Sequence, residues 1–413
     1  MKDLRSNKAA FLWDESFLWG LMAYKALRGL GLPFDLVRAE DIKAGALDGY
    51  SMLFVPGGWA SNKSRKLGES GVKAVQDFVK NGGNYLGFCG GAGLATAAKG
   101  GIGLLDITRR PTSERVPSFS GRIKLNIAEH PIWKGLDGAS DLFYAWWPSQ
   151  FIVGDDGLNV LASYSGAMPD AFSSDLNVGD TEASGGWKKF EDIYRINLDP
   201  GRLIDEPSII EGSYGKGKVV LSLIHFDTPG DSNGARVLVN LWDYLTGSGA
   251  DSREQTAEST EPATDTCAQL FSLCSDLIAL GERNFLWFWR APMLLQWRRG
   301  IRGLEYNTLY IMIKEISELI SSRREGEAPY AAALGKIKSL LIPFIEKAEQ
   351  LLVLERHAMQ DGHITYDRCD DDEIKAIRRE LFSEAKSYGG MFKVLIDEID
   401  GLLFLLIRSD DNA

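Results

Sequence analysis

The sequence predicts two domains, a doubly wound α/β domain with a mostly parallel sheet over residues 1–246 and a helical bundle over residues 266–413. Three observations predict this division. Short β-rich runs alternate with helical stretches in the first part, which is typical of parallel strands joined by helices. Apolar residues recur at helical spacing in the last part. Between the two, residues 247–265 are small, polar and acidic, as in a linker.

The elements of the first domain follow from apolar runs and from the glycines that end them. Predicted strands cover residues 9–14, 34–39, 50–58, 84–89 and 219–224. Predicted helices cover residues 17–30, 71–80, 94–98 and 235–244. Residues 105–215 contain only hairpin-like runs separated by turn residues. Because the crevice of a doubly wound sheet lies at the carboxyl ends of its strands, the loops at those ends are expected to carry the chemistry.

Two apolar stripes at helical spacing define the second domain and predict a bundle of about four to six helices. The stripes consist of Leu309, Ile313, Ile316 and Ile320, and of Leu334, Ile337, Leu341 and Phe344. We expect Pro343 to kink its helix and Gly389–Gly390 to interrupt the last one. The aromatic stretch 285–302 could dock on a membrane surface or a partner, but a seam inside the bundle is favoured.

Composition excludes several classes of protein. The 413 residues carry 46 Lys and Arg against 57 Asp and Glu, a net charge of −11, which argues against binding to nucleic acid or to an anionic membrane. Four cysteines without paired short spacing indicate a reducing compartment. The N-terminus lacks the apolar segment of a secretory signal, and no run reaches the ~18 apolar residues of a membrane span. We expect a cytoplasmic protein.

We expect neither a cofactor nor a metal. The His, Asp and Cys residues between His357 and Asp370 match no HExxH, CxxC or EF-hand spacing. The acidic run at residues 370–373 is better explained as the start of a helix, where the dipole favours negative charge. The sequence does not identify a protein partner, although the helical domain could recognise one.

The strongest local signal is the run Gly87-Phe88-Cys89-Gly90-Gly91, which follows a predicted strand and precedes a helix. A nucleophile held on a sharp strand-to-helix turn needs glycines around it, because a Cβ there would clash with the strained backbone. The positive end of the following helix favours a thiolate at Cys89. The alternative is a structural cysteine in a glycine-rich turn, but the position between strand and helix favours the nucleophile.

A thiolate needs a base, and His225 is the best candidate among the four histidines. It ends a predicted strand two residues before Asp227, and residues two apart in a strand point to the same side. The pair could therefore provide a base and its orienting carboxylate, so that Cys89, His225 and Asp227 form a triad. The alternative is a surface histidine with no catalytic role.

Other residues could complete a site. The amides of Gly57 and Gly58, with that of Gly90, could hold an oxyanion, although Gly57-Gly58 also fits an ordinary strand-to-helix turn. The side chains of Tyr144, Trp146 and Trp147 could form a pocket wall, or could pack in the core of a hairpin.

Taken together, Pro56-Gly57-Gly58, the GxCxG run at residues 87–91 and the late pair His225 and Asp227 resemble the class I glutamine amidotransferase-like superfamily. The stretches GFCGGAGLA, EHPIWKGL and EPSIIEGSYGKGKVVLS look most like the domain found at the N-terminus of some biotin-protein ligases. The resemblance covers about residues 8–246 and not the helical part. It implies a flavodoxin-like sheet and a Cys-His-acid triad.

The chain departs from the superfamily at three points. Glutamine-using members carry Gln four residues after their Cys, where this chain has Gly93, and Glu where it has Asp227, so glutamine is not the expected substrate. Residues 266–413 contain no basic adenylate loop of the GRGRxxR kind, so biotin ligase activity is not expected. A related arrangement, as in the Parkinsonism-associated family, pairs the Cys with an acid after the first strand. Asp14 and Glu15 lie there, although helix capping explains them better.

Two functions follow from these residues. The first is a cysteine-dependent hydrolase that cleaves a small amide or other C–N bond through Cys89, His225 and Asp227. The second is a binding or scaffold protein in which the fold has lost turnover and the helical domain recognises a partner. Gly93 favours the second function, while the retained Cys and His favour the first.

Overall fold

The chain divides into two compact units in a computed structural model, residues 1–255 and residues 256–413. The structure describes residues 6–136, 141–154, 157–247, 265–362, 369–384 and 387–410. Residues 248–264 of the predicted linker lie outside the described residues, as do His363 and Asp367 of the region considered above for a metal.

The N-terminal unit alternates strands and helices along its first hundred residues, as predicted. Its strands are β1 (Ser6–Leu12), β2 (Phe34–Val37), β3 (Tyr50–Val55), β4 (Asn84–Phe88), β5 (Ile107–Arg109), β6 (Phe119–Ile127), β7 (Leu142–Trp146), β8 (Phe151–Val153), β9 (Asn159–Ala167), β10 (Phe172–Ser173), β11 (Leu176–Asn177), β12 (Pro207–Tyr214) and β13 (Gly217–Ser222). Its helices are α1 (Phe17–Gly29), α2 (Ala39–Lys43), α3 (Ala60–Lys80), α4 (Gly90–Leu94), α5 (Val178–Ala183), α6 (Lys188–Tyr194) and α7 (Ser232–Thr246).

Five parallel strands form the central part of the sheet, in the order β2-β1-β3-β4-β13. This is the flavodoxin-like order, and it confirms the predicted doubly wound fold. The central strands are apolar and buried towards their carboxyl ends because helices cover both faces of such a sheet. Residues 52–55 of β3 and 85–88 of β4 are accordingly almost inaccessible to solvent. The carboxyl ends of β3, β4 and β13 therefore meet at one edge.

Beyond β13 the sheet continues in antiparallel fashion through β12, β9, β6, β10 and β11, with β7 paired to β6. Strands β5 and β8 form a separate antiparallel pair. This extension occupies the region where the sequence showed only hairpin-like runs. Such runs leave the order of the strands open, because antiparallel partners can be reached by connections of many lengths.

Of the element boundaries that differ from those predicted, three lie close to the predicted site residues. Helix α3 begins at Ala60 rather than Gly71 and continues across a kink at Gly68, whose φ of 61° only glycine adopts readily. Helix α4 begins at Gly90 rather than Leu94, directly after the turn at Cys89. Strand β13 ends at Ser222, so His225 lies in the loop after the strand and not at its last position.

The C-terminal unit is a helical bundle, as predicted, with one addition. Its helices are α8 (Asp265–Arg283), α9 (Gly303–Ser321), α10 (Ala331–Asp361), α11 (Asp372–Phe382) and α12 (Gly390–Asp410). Both apolar stripes are buried, with no member more than 1% exposed. Helix α10 continues through Pro343. Helix α12 begins at Gly390, whose φ is 59°, so Gly389 and Gly390 lie at the start of the last helix and do not interrupt it.

The aromatic stretch forms a hairpin, which the helical interpretation of this segment missed. Strands β14 (Trp287–Ala291) and β15 (Leu294–Trp297) pair in antiparallel fashion. The ring of Trp287 packs against Gly281 of α8 so closely that a Cβ on this glycine would lie 2.0 Å from it. The segment is rich in aromatic residues and poor in β-branched ones. The hairpin could not be predicted from it, because short apolar runs fit strand and helix equally well.

No helix in the described part of the chain is both long and apolar enough to cross a membrane.

Candidate active site

Cys89 occupies the turn between β4 and α4 with φ 47° and ψ −101°, a conformation that costs free energy for a residue with a side chain. Its amide donates a hydrogen bond of 2.8 Å to the carbonyl of Ser222 at the end of β13. The side chain remains partly exposed. The turn therefore presents the sulfur at the carboxyl edge of the sheet, beside the strand that leads to His225.

The glycines around Cys89 are required by close backbone contacts. A Cβ on Gly90 would lie 1.8 Å from the carbonyl oxygen of Gly58, and one on Gly91 would lie 1.9 Å from that of Val55. Gly58 itself has a φ of 113°, and a Cβ there would lie 2.3 Å from the carbonyl oxygen of Glu15. The loop after β3 is thus packed directly on the turn. Gly90 opens α4, so its amide has no intrahelical acceptor and can face a ligand.

Gly90→Ala is expected to destabilise the N-terminal unit by about 1–3 kcal/mol, because the methyl group must push the backbone of Gly58 away. Amide hydrogen exchange of β3 and β4 measures this change. The matched control is Gly29→Ala in α1, where nothing lies within 4 Å of the added Cβ and exchange should be unchanged or slower. Equal protection in the two variants would show that the contact is not tight.

His225 and Asp227 form a buried hydrogen bond, with 2.9 Å between Nδ1 and Oδ1. The pairing was predicted from strand alternation, but the two residues do not lie in a strand, because β13 ends at Ser222. Both residues lie in the turn after β13, where the carbonyl of His225 accepts a hydrogen bond from the amide of Thr228. The amide of His225 is held by the carbonyl of Tyr144 at 2.9 Å. Hydrogen bonds thus hold His225 both at its backbone amide and at its imidazole ring.

The charge of His225 is set by opposing effects. Burial lowers its pKa, but the charge of Asp227 and the hydrogen bond to it, together with Cys89, outweigh burial and raise the pKa to about 10. His225 is therefore an imidazolium at neutral pH. Its Nε2 has no partner of standard hydrogen-bond geometry among the described residues, but the side chain of Cys89 is close enough to raise the pKa of His225 through both side-chain hydrogen bonding and charge.

Aromatic side chains surround the imidazole, but not all of those predicted. The ring of Trp19 lies 4.8 Å from His225, and Trp147 lies edge-on to Trp19 at 6.0 Å. Trp147 and Tyr144 are partly exposed. Trp146 is only 1% exposed and donates to the hydroxyl of Thr228, so it belongs to the core. The sequence pointed to Trp147 and missed Trp19, which lies far away along the chain.

The two acids after β1 have other partners. The carboxylate of Asp14 accepts a 2.5 Å hydrogen bond from the amide of Ala39 and so caps α2, not α1. Glu15 accepts a hydrogen bond of 3.2 Å from Asn62, although its backbone contacts Gly58. Asp14 therefore caps a helix, as expected, but the helix is α2 and not α1.

Three polar residues near Cys89 were not found from the sequence: Arg109, Arg115 and Tyr164. The charge of Cys89 acts on the pKa of both Arg115 and Tyr164. Arg109 lies at the end of β5, with its Nη1 3.2 Å from the position of a Cβ on Gly93. All three come from the region between β5 and β9, where no motif marked them. Only the tertiary fold brings this region to the sulfur.

A family model described as "Biotin-protein ligase, N terminal" matches residues 47–99. This segment contains Gly57, Gly58 and the turn at Cys89, so the predicted resemblance is confirmed for it. No curated protein matches the sequence.

Three solved structures are similar at low sequence identity. PurLQS from Thermotoga maritima is 15% identical, with 58% of this chain and 98% of that chain covered and a TM-score of 0.40. A protein assigned as part of a GMP synthase from Thermoplasma acidophilum is 16% identical, with 58% and 94% covered and a TM-score of 0.37. A β-galactosidase from Bacillus circulans sp. alkalophilus is 13% identical, with 63% and 34% covered and a TM-score of 0.36.

Proposed function

We propose that the N-terminal unit is a cysteine hydrolase that cleaves a small amide or another C–N bond. The observation that carries this proposal is the buried pair of His225 and Asp227, which leaves Nε2 without a partner of standard hydrogen-bond geometry among the described residues, beside the strained turn at Cys89. Nucleophile, acid–base group and orienting carboxylate are the three parts that such a hydrolase needs.

The first step uses the charges already present at neutral pH. The thiolate of Cys89 attacks the carbonyl carbon of the amide, and a C–S bond forms while the C–N bond breaks. The imidazolium of His225 donates its Nε2 proton to the leaving nitrogen. The products are a neutral amine, a thioester on Cys89 and a neutral His225. The amides of Gly90 and of the Gly57-Gly58 loop are the proposed donors to the oxyanion.

The second step releases the acid. Neutral His225 takes a proton from water as the hydroxide adds to the thioester, and the C–S bond breaks to return the thiolate and the imidazolium. The charge of Cys89 is one of the causes that raise the pKa of His225, and it disappears when the sulfur is acylated. Acylation therefore lowers the proton affinity of His225 at the step where it must act as a base.

Iodoacetamide tests the proposal, because it reports a reactive thiolate without knowledge of the substrate. At pH 7 we expect Cys89 to be labelled at least about 10-fold faster than Cys267, Cys274 and Cys369. Burial, with a smaller effect of Glu327, raises the pKa of Cys267 to about 12, and burial also raises the pKa of Cys274. Mass spectrometry of digested protein gives each rate. Equal rates at the four cysteines would contradict the proposal.

A scaffold without turnover is the second candidate, and one observation favours it. Gly93 replaces the glutamine that glutamine-using members carry one helical turn after their cysteine. In this case the C-terminal helical unit would recognise a protein partner, and Cys89 would be no more reactive than an ordinary partly exposed thiol. The labelling experiment therefore separates the two candidates.

A further inference from the structure

We infer that the crevice beside Cys89 binds an anionic substrate, and that Arg109 and Arg115 hold its carboxylate. The substrate class would be a small amide that carries a carboxylate group. This inference rests on the proposed function, because it assigns a substrate class to the same crevice.

Arg109 occupies the space beside the nucleophile that Gly93 leaves empty. The amide of Gly93 donates a 2.9 Å hydrogen bond to the carbonyl of Cys89, which places it one turn along α4. Nη1 of Arg109 lies 3.2 Å from the position of a Cβ on Gly93, so any larger side chain there would contact the guanidinium. The pairing of Arg109 with Phe151 between β5 and β8 holds its backbone. No ion pair or hydrogen bond engages this guanidinium in the described part of the chain.

Arg115 is a second guanidinium on which the charges of Arg109 and Cys89 act. Its Nη1 donates to the hydroxyl of Ser149 at 3.1 Å, while its Nε is buried without a hydrogen-bond partner among the described residues. Burial lowers the pKa of Arg115, the charge of Arg109 lowers it further, and Cys89 raises it. Arg115 is thus close enough to Arg109 and to Cys89 for both charges to act on it, and Arg109 lies beside Gly93, one turn along α4 from Cys89.

The side chain of Tyr164 is also near enough to Cys89 for the charge of the sulfur to act on its pKa. Its side chain is fully buried, and its hydroxyl makes no hydrogen bond to another described residue. Burial, Cys89 and Glu206 raise the pKa of Tyr164, so the hydroxyl keeps its proton at neutral pH. The nearby carboxylate of Glu206 is neutralised by two hydrogen bonds from Arg110, at 2.8 and 3.1 Å, and does not offset the charge of the crevice.

A bound anion would satisfy these donors and reduce the repulsion between the two guanidinium groups. Buried or half-buried donors without acceptors are unfavourable, and two like charges beside each other add to the cost. A carboxylate accepts hydrogen bonds from a guanidinium in a bidentate manner and cancels the repulsion. In a chain of net charge −11, two arginines at the nucleophile that have no carboxylate partner among the described residues point to a ligand as the missing partner.

Iodoacetate and iodoacetamide test this inference, since they differ only in charge at the end opposite the reactive carbon. We expect the ratio of their labelling rates at Cys89, iodoacetate over iodoacetamide, to exceed by about 10-fold the ratio measured for the same protein unfolded in urea. Arg109→Gln and Arg115→Gln should each lower this ratio by several-fold, and any effect of the lost charge on the thiolate of Cys89 cancels in the ratio because both reagents react with the same thiolate. Arg122→Gln is the matched control, because it removes the same charge from an exposed ion pair with Asp170.

Dicarboxylates give a second readout on the same variants. Succinate and glutarate should protect Cys89 of the wild-type chain from iodoacetamide, and protection should be lost in Arg115→Gln. An unchanged rate ratio together with no protection overturns the anion subsite, even when iodoacetamide labels Cys89 rapidly. Slow labelling by iodoacetamide instead contradicts the hydrolase itself, so the two failures are distinguishable.

Discussion

His225→Ala is expected to slow the alkylation of Cys89 by about 100-fold at pH 6.5, because an unassisted thiol with a pKa of about 8.5 is only ~1% thiolate at that pH. In the wild-type chain the imidazolium of His225, paired with Asp227 at 2.9 Å, favours the thiolate. Stopped-flow or mass-spectrometric labelling with iodoacetamide measures the rates. His357→Ala is the control, since this imidazole is exposed on α10 and the rate should not change.

The pH dependence of labelling distinguishes a lost ion pair from a damaged fold. The pKa of His225 is raised to about 10, so the imidazolium persists through neutral pH and is lost as the pH rises through 10. The advantage of the wild type over His225→Ala should therefore be present at pH 6.5 and disappear as the pH rises towards 10. The rate of His225→Ala should rise about 10-fold per pH unit below pH 8.5 and approach the wild-type rate near pH 9.5. If His225→Ala is labelled as fast as the wild type at pH 6.5, His225 does not assist Cys89.

Arg378→Met is expected to destabilise the helical unit by about 3–5 kcal/mol at pH 8, because it leaves a buried carboxylate without its counter-ion. Nε of Arg378 donates to Glu355 at 2.7 Å, and its Nη2 donates to the carbonyl of Gly300 at 2.9 Å. Glu355 is only 1% exposed. Amide hydrogen exchange along α10 and α11 in the full chain assigns the change to this unit.

The destabilisation caused by Arg378→Met should depend on pH. Burial raises the pKa of Glu355 to about 7, although Arg378 and Arg302 lower it. Between about pH 4.5 and 7, Glu355 therefore keeps its proton in the folded state but has lost it in the unfolded state. The stabilisation that this difference gives is fully present below about pH 4.5 and is lost as the pH rises through 7. Arg378→Met should accordingly cost less at pH 5 than at pH 8.

The double variant Glu355→Leu/Arg378→Met is the matched control, since replacing both partners by apolar side chains removes the isolated charge. Its stability should lie within about 1–2 kcal/mol of the wild type at pH 8. If the single and double variants are equally unstable, the loss comes from packing and not from the uncompensated carboxylate.

The candidate site was predicted from the sequence wherever its parts are local. The glycines around Cys89 indicated a strained turn because their spacing reflects contacts within a few residues and with the neighbouring strand. The pairing of His225 with Asp227 was also predicted, but through strand alternation, whereas the structure forms it in a turn. Residues two apart can meet in either geometry, and local sequence does not decide between them.

The sequence did not reveal three residues near the site, for a different reason. They are Arg109, Arg115 and Tyr164. They lie in or beside the antiparallel part of the N-terminal unit, where the apolar pattern marks strands but not which strand pairs with which. Their proximity to Cys89 follows from that pairing. The hairpin at Trp287–Trp297 was missed for a related reason, since a short aromatic run has no period that separates strand from helix.

The sequence by itself determined the alternation of strands and helices, the doubly wound sheet, the helical stripes of the second unit and the turn at Cys89, because each follows from contacts between residues close along the chain. The tertiary structure alone decided what else lies near the sulfur and the imidazole: the ring of Trp19 against His225, and the two guanidinium groups. These groups come from segments up to about two hundred residues apart, and long-range pairing depends on how buried surfaces fit together, which no local pattern encodes.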